Sequence, residues 1–191
     1  MTIMPFDELN RFEAEVEQHF ETDTETGKRK IKSQQDCDDI IDEMMDLFLM
    51  AYSLGFTSTQ LDLGTEVEMP FDDMMAIIDK EIAGKTWRQR VQGYYEDGGD
   101  VADIMRIATT ESHRDANAAA YETAKKAGAT EKVWHCMMLP TSRDTHVYLN
   151  GVTAPINGVF YNYKGESTYY PGQWGIAEED INCLCWLTYK K

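Results

Sequence analysis

Apolar residues recur at helical spacing through the first two-thirds of the chain and at strand spacing after it. Phe6, Leu9, Phe12, Val16 and Phe20 follow Pro5, with Asp7 and Glu8 where a helix dipole favours acids, and predict a helix over residues 5–21. The polar run 22–33, with Gly27 and Lys28-Arg29-Lys30, reads as a mobile loop. Its Asp23-Thr-Glu-Thr-Gly27 segment lacks the full oxygen-ligand spacing and terminal Glu of a calcium loop. Ile40, Ile41, Met44, Met45, Phe48, Ala51 and Tyr52 form an apolar stripe that predicts a helix over residues 38–54, with Asp38, Asp39, Asp42, Glu43 and Asp46 on the other side. Such an acidic face is either solvated or a partner surface, and solvated faces are the commoner case.

Pro70 opens a third helix that should stop near Gly84. Its Met69-Pro-Phe-Asp-Asp-Met74 echoes Met4-Pro-Phe-Asp-Glu-Leu9, which similar capping explains without a duplicated domain. A short helix carrying Trp87, Val91, Tyr94 and Tyr95 ends at Asp97-Gly98-Gly99. Asp100 then caps a long helix whose small or apolar positions include Val101, Ile104, Met105, Ala108, Ser112, Ala116, Ala119, Ala120, Ala124 and Ala127. Lys125 and Lys126 suit its negative end, and Gly128 should terminate it. That seam of small residues lets another element approach closely. Beyond Gly128, residues 132–139, 145–149, 159–163 and 183–189 are strand candidates, separated by Pro140, Asn150-Gly151, Asn157-Gly158, Gly165 and Pro171-Gly172.

Helices followed by strands predict an α+β protein: N-terminal helices and one long helix, then a small, mainly antiparallel sheet. The expected division is an acidic helical region over 1–99 and a long-helix-plus-β domain over 100–191.

Charge sharpens that division. Through Gly84 there are 21 acids against 6 bases, and from Lys85 onward 13 against 12, within a formal net charge of −16 over 191 residues. An acidic chain is not steered to a nucleic-acid backbone. No apolar run approaches the roughly 20 residues of a membrane span, and the first 20 residues are acidic and amphipathic rather than a secretory leader. The expectation is a soluble, intracellular protein whose four cysteines are thiols or metal ligands rather than a disulfide framework.

Two clusters bear on chemistry. Cys183 and Cys185 are two apart, so on a strand they share a face. With Cys136 and His135 or His146 they could complete a tetrahedral zinc site of Cys2His or Cys3His type. The reading favoured from the residues is that these are buried thiols packing against Trp134 and Trp186, with no cofactor. Arg143-Asp144-Thr-His146 would suit a hydrolytic site: His146 as base or acid, Asp144 or Glu111 orienting it, and Arg143 holding an anionic transition state. No serine-nucleophile motif or phosphate loop accompanies it, so the favoured reading has no catalysis. Gly151, Gly158, Pro171 and Gly172 read as turn residues, and Trp134, Phe160, Trp174 and Trp186 as core.

Taken in order, Thr110-Glu111, Arg114, Asn117, Gly128, Trp134, Arg143-Asp144, His146, Leu149, Gly151, Phe160, Pro171-Gly172 and Asn182-Cys183-x-Cys185 resemble the Mu F-like, SPP1-type phage head morphogenesis family. The resemblance covers residues 101–188, and Leu184 stands where that family has Arg between the closing cysteines. It implies a low-copy, non-enzymatic minor head (capsid) protein acting near the portal. Portal, scaffold or capsid proteins would be its partners, with indirect association with packaged DNA and no membrane. Its location would be the host cytoplasm during assembly and then the phage head. Members of the family also occur fused to toxin domains. The alternatives are a small nuclease-like effector using Arg143, Asp144 and His146, and an acidic DNA mimic that inhibits a host nucleic-acid enzyme.

Overall fold

The computed structural model describes residues 6–69, 71–82 and 84–191, the side chains of Phe6 and Asp72 excepted. Pro5 and Pro70, expected in the first turns of their helices, and Ala83 therefore lie outside the described residues, as does the side chain of Phe6. The fold is α+β, as the order of periodicities predicts. It contains α1 (Phe6–Val16), β1 (Phe20–Thr22), β2 (Arg29–Ile31), α2 (Gln34–Leu63), α3 (Phe71–Ile78), α4 (Trp87–Asp97) and α5 (Val101–Lys126). The C-terminal part adds β3 (Glu131–His135), α6 (Asp144–Leu149), β4 (Thr153–Pro155), β5 (Phe160–Tyr161), β6 (Ser167–Thr168), α7 (Ala177–Asp180) and β7 (Trp186–Lys190). No helix among the described residues is long and apolar enough to cross a membrane.

The ends of the elements follow local chemistry. The Ser33 hydroxyl accepts from Asp36 N and starts α2 well before the predicted residue 38, and Gly64 closes it with φ +57°. Thr86 and Gln89 form a reciprocal capping box on α4, and Asp100 and Asp103 form one on α5. The segment expected to be a mobile loop is a hairpin instead. Phe20 pairs with Ile31 and Thr22 with Arg29, and Asp23 Oδ1 accepts from the backbone N–H groups of Glu25 and Thr26 to build the turn. Residues 145–149, expected as a strand, form helix α6, because Arg143 O accepts from His146 N and Val147 N. Strands β4, β3 and β7 form an antiparallel sheet in that order, with Trp134 opposite Leu187 and Lys132 opposite Tyr189. The alternation of β3 turns Lys132 and Trp134 into the interior.

The two long helices carry the packing. Cys37, Ile40, Met44, Leu47, Phe48, Ala51 and Tyr52 on α2 are buried, with Trp87 of α4 edge-on to Phe48 at 5.0 Å. Asp38, Asp42 and Asp46 face solvent. Helix α5 lies between this helical core and the β-rich segment. Val101, Ile104, Ile107, Ala108 and Ala116 join the first core, while Ala118, Tyr121 and Ala124 join a second one built on Trp134, Phe160 and Leu187. Every residue of α5 from Thr110 to Tyr121 is buried. The close approach its small residues permit is made at Gly55, where a Cβ would overlap the carbonyl of Ala116.

Two predictions follow from the central position of α5. Gly55→Ala should destabilise the protein by about 1–3 kcal/mol, because the helices must separate along their whole contact to admit one methyl. A melting curve superimposable on wild type would refute the close contact. His113 is 2% exposed and neither ring nitrogen has a partner among the described residues, and burial pushes its pKa down to about 4. With the folded value depressed, the stability this ring confers is complete above pH 6.5 and is lost as the pH falls toward 4, by on the order of 3 kcal/mol. His113→Leu should therefore lose less melting temperature than wild type between pH 7 and pH 4.5. Parallel curves would show that another group sets the acid sensitivity.

Candidate functional site

Burial of α5 on all sides between Thr110 and Tyr121 forces the polar residues there to satisfy one another. Glu111, fully buried, pairs with Arg90 of α4 and with Arg114 one turn along its own helix. Arg114 also meets Asp115 at 3.1 Å and donates to the carbonyls of Ile77 (3.0 Å), Ile78 (2.9 Å) and Lys80 (3.3 Å) at the C-terminal end of α3. Ile77 and Ile78 end α3, where helix carbonyls run short of backbone partners, and Lys80 lies just beyond it. Burial raises the Asp115 pKa to about 7 against the opposing pull of Arg114. Gly172, in the left-handed region at φ +85°, lies against Arg114, where a Cβ would come within 3.1 Å of its Cα.

The same helix holds the loop that carries the paired cysteines. Thr110 Oγ1 accepts from Asn182 N at 3.0 Å, and Asn117 Nδ2 donates to Cys185 O at 3.0 Å. Asn182 takes φ +55°, an uncommon value that asparagine tolerates, and it reverses the chain at this point. Cys183 and Cys185 precede β7, so they do not share a strand face as expected. The loop nevertheless points both sulfurs at one atom: His146 Nδ1 lies 3.6 Å from Cys183 Sγ and 3.4 Å from Cys185 Sγ.

Helix α6 supplies that histidine. His146 is 2% exposed, stacked on Trp174 at 5.9 Å and edge-on to Trp134 at 5.8 Å. Its Nε2 lies 3.1 Å from Glu179 Oε2, and Glu179 accepts from Thr145 Oγ1 at 2.7 Å and from Lys164 Nζ at 3.1 Å. Burial works to raise the Glu179 pKa, but those two bonds and the neighbouring cations hold it below its ordinary value. Cys183 is drawn well below the ordinary thiol range by the hydrogen bond from Cys185, and Cys185 is raised in turn. The ligand atoms of His146, Cys183 and Cys185 all lie within 4.8 Å of one another. Cys136, which interacts with Cys185, lines the same cavity of about 50 Å³.

These positions revise the hydrolytic reading. Asp144 is exposed in the first turn of α6, Glu111 belongs to the Arg90–Arg114 network, and Arg143 donates to Ile181 O. The carboxylate beside His146 is Glu179, which the sequence reading missed. The only signal for it was the acidic run Glu178-Glu179-Asp180 just before Asn182-Cys183. His135 is not brought to the cysteines; it stacks on Trp186 at 5.3 Å. Lys132, also missed, is buried with its Nζ 4.6 Å from the Tyr121 ring centroid and 2.8 Å from Tyr169 O, and burial lowers its pKa to about 8.

A separate open cleft of about 600 Å³ lies between α3, α5 and the segment 169–173. Asp73, Lys80, Glu122, Lys125, Tyr169 and Gln173 are among its walls. Lys125 pairs with Glu122 at 3.0 Å, and Tyr169 is 42% exposed, with Lys132 Nζ 5.3 Å from its ring centroid.

No protein-family model matches the chain, and no solved structure matches it. Among curated proteins it is similar to an NAD(+)–arginine ADP-ribosyltransferase, EFV, of Enterococcus faecalis (strain ATCC 700802 / V583). Identity is 26% over 171 residues, covering 70% of this chain and 35% of that protein. The chain thus spans about a third of the length of the relative it matches. This finding overturns the expectation of a phage minor head protein, since the relative bears the name of an enzyme, and it supports neither the nuclease-like effector nor the DNA mimic. The residues that suggested a phage head protein form a packing unit instead: Thr110, Asn117 and Asn182 hold the cysteine loop on α5, while Arg114 and Gly172 abut one another. A packing unit identifies a way of folding and leaves the function of the protein that carries it open.

Proposed function

We propose that this chain serves ADP-ribosyl transfer from NAD(+) to arginine and holds part of the dinucleotide in the cleft between α3 and α5. The observation that carries the reading is the similarity to the E. faecalis transferase; the cleft supplies the location. Its volume falls in the range of small-molecule sites, roughly 300–1,000 Å³. Lys80 and Lys125 offer cations to a pyrophosphate, and the exposed face of Tyr169 offers a stacking surface to a ring. Glu122 stands beside them as the carboxylate that would orient the ribose or the incoming guanidinium. Transfer breaks the nicotinamide–ribose bond and forms a ribose–guanidino bond, with nicotinamide leaving and one proton lost.

A second reading, that the chain accompanies a transferase without performing transfer, is favoured by the internal pairing of Glu111, Arg114 and Asp115, which leaves these charges closed to substrate. One assay separates the two. Purified chain is incubated with biotin-labelled NAD(+) and polyarginine, and NAD(+) binding is followed by calorimetry. Labelled acceptor is expected, reduced at least tenfold in Glu122→Gln with an unchanged melting temperature. Binding without transfer would support the accompanying role. Neither binding nor transfer would overturn the assignment of the cleft.

A further inference from the structure

We propose that His146, Cys183, Cys185 and Cys136 bind one zinc ion, which staples the cysteine loop and α6 to the β-rich half of the protein. A zinc ion with bonds of about 2.3 Å to sulfur and 2.0–2.1 Å to nitrogen, held tetrahedrally, separates its sulfur and nitrogen ligands by roughly 3.6 Å. The His146 Nδ1 to Cys183 and Cys185 separations, 3.6 Å and 3.4 Å, match that spacing. The far nitrogen of the ring faces Glu179 at 3.1 Å, and Glu179 is itself anchored by Thr145 and Lys164. A carboxylate behind a histidine in this way sets which nitrogen is free to coordinate and raises its basicity.

The surroundings fit a structural ion. Cys136 lies outside the group of ligand atoms within 4.8 Å of one another but lines the same cavity of about 50 Å³, which is too small for an organic substrate. Three thiolates and one imidazole make a closed, soft ligand set suited to zinc and poorly suited to magnesium or calcium. The complex would carry a net charge of about −1, and the Arg143 guanidinium on the cavity wall supplies a cation beside it. Asn182 and its bond to Thr110, together with the Asn117 bond to Cys185 O, hold the loop in the conformation that turns both sulfurs inward. The site stands on this geometry alone and is independent of the cleft.

The test is elemental analysis of the full chain purified without chelator, with one zinc per chain expected. Cobalt(II) titrated into chelator-stripped protein should give the intense ligand-field and thiolate charge-transfer bands of a tetrahedral site. Cys136→Ser should keep those bands with weaker charge transfer. Glu179→Gln should lower metal affinity by about 10–100-fold. Cysteine variants that fail to fold would leave the wild-type measurement decisive: chelation should lower the melting temperature, and zinc but not magnesium should restore it. Metal-free wild-type protein whose spectrum and melting temperature do not respond to cobalt or zinc would overturn the proposal and leave a cluster of hydrogen-bonded thiols.

Discussion

The contact between the backbones of Gly55 and Ala116 sets the spacing of the two long helices, and most of the molecule follows from it. A side chain at Gly55 would collide with the Ala116 carbonyl, so α2 and α5 cross closer than ordinary side chains allow. The sheet and its loops cover the opposite side of α5, and the helix becomes the shared wall of two cores. Over residues 110–121 such a helix has no face left for solvent. Polar residues placed on it must find partners inside the protein or be costly to bury.

Those partners give the structure its specificity. Burying charge is expensive, and a buried ion pair is retained only where its remaining donors and acceptors are also used. Arg114 meets this condition by bonding Glu111, Asp115 and three carbonyls at the end of α3, so one guanidinium fixes α3 against α5. Thr110 and Asn117 use the same strategy one turn to either side and bind the backbone around Cys183 and Cys185. The geometry of the Cys/His cluster is thus inherited from the burial of α5.

The cluster and the cleft ask different things of the chain. The cluster is closed, with each of its side chains inside the protein, and it suits stability. The cleft is open and lined by side chains of both charges around exposed aromatic surface, which suits a ligand that comes and goes. Thr110, Arg114, Asn117, His146, Cys183 and Cys185 belong to the closed part, whereas the similarity to a transferase extends over 70% of the chain. Local motifs of this kind report how a segment packs, and function has to be argued from the surfaces that remain accessible.

By itself the sequence determined the class of fold, the capped start of α5 at Asp100 and its end before Gly128, because these depend on interactions within a few residues. It also determined the apolar stripe of α2 and named His146, Cys183 and Cys185, whose side chains the fold brings together. It misassigned residues 22–33 and 145–149, where the Asp23 turn and the start of α6 at Arg143 outweighed composition and β-propensity. Tertiary structure alone decided that the middle of α5 is buried all round, that Glu179 rather than Asp144 faces His146, and that residues 37–39 positions apart meet at one nitrogen. Spacing along a chain constrains neighbours within a helical turn or a strand pair. Which distant side chains converge is settled by how closely two helices can approach, and here that depends on a missing Cβ.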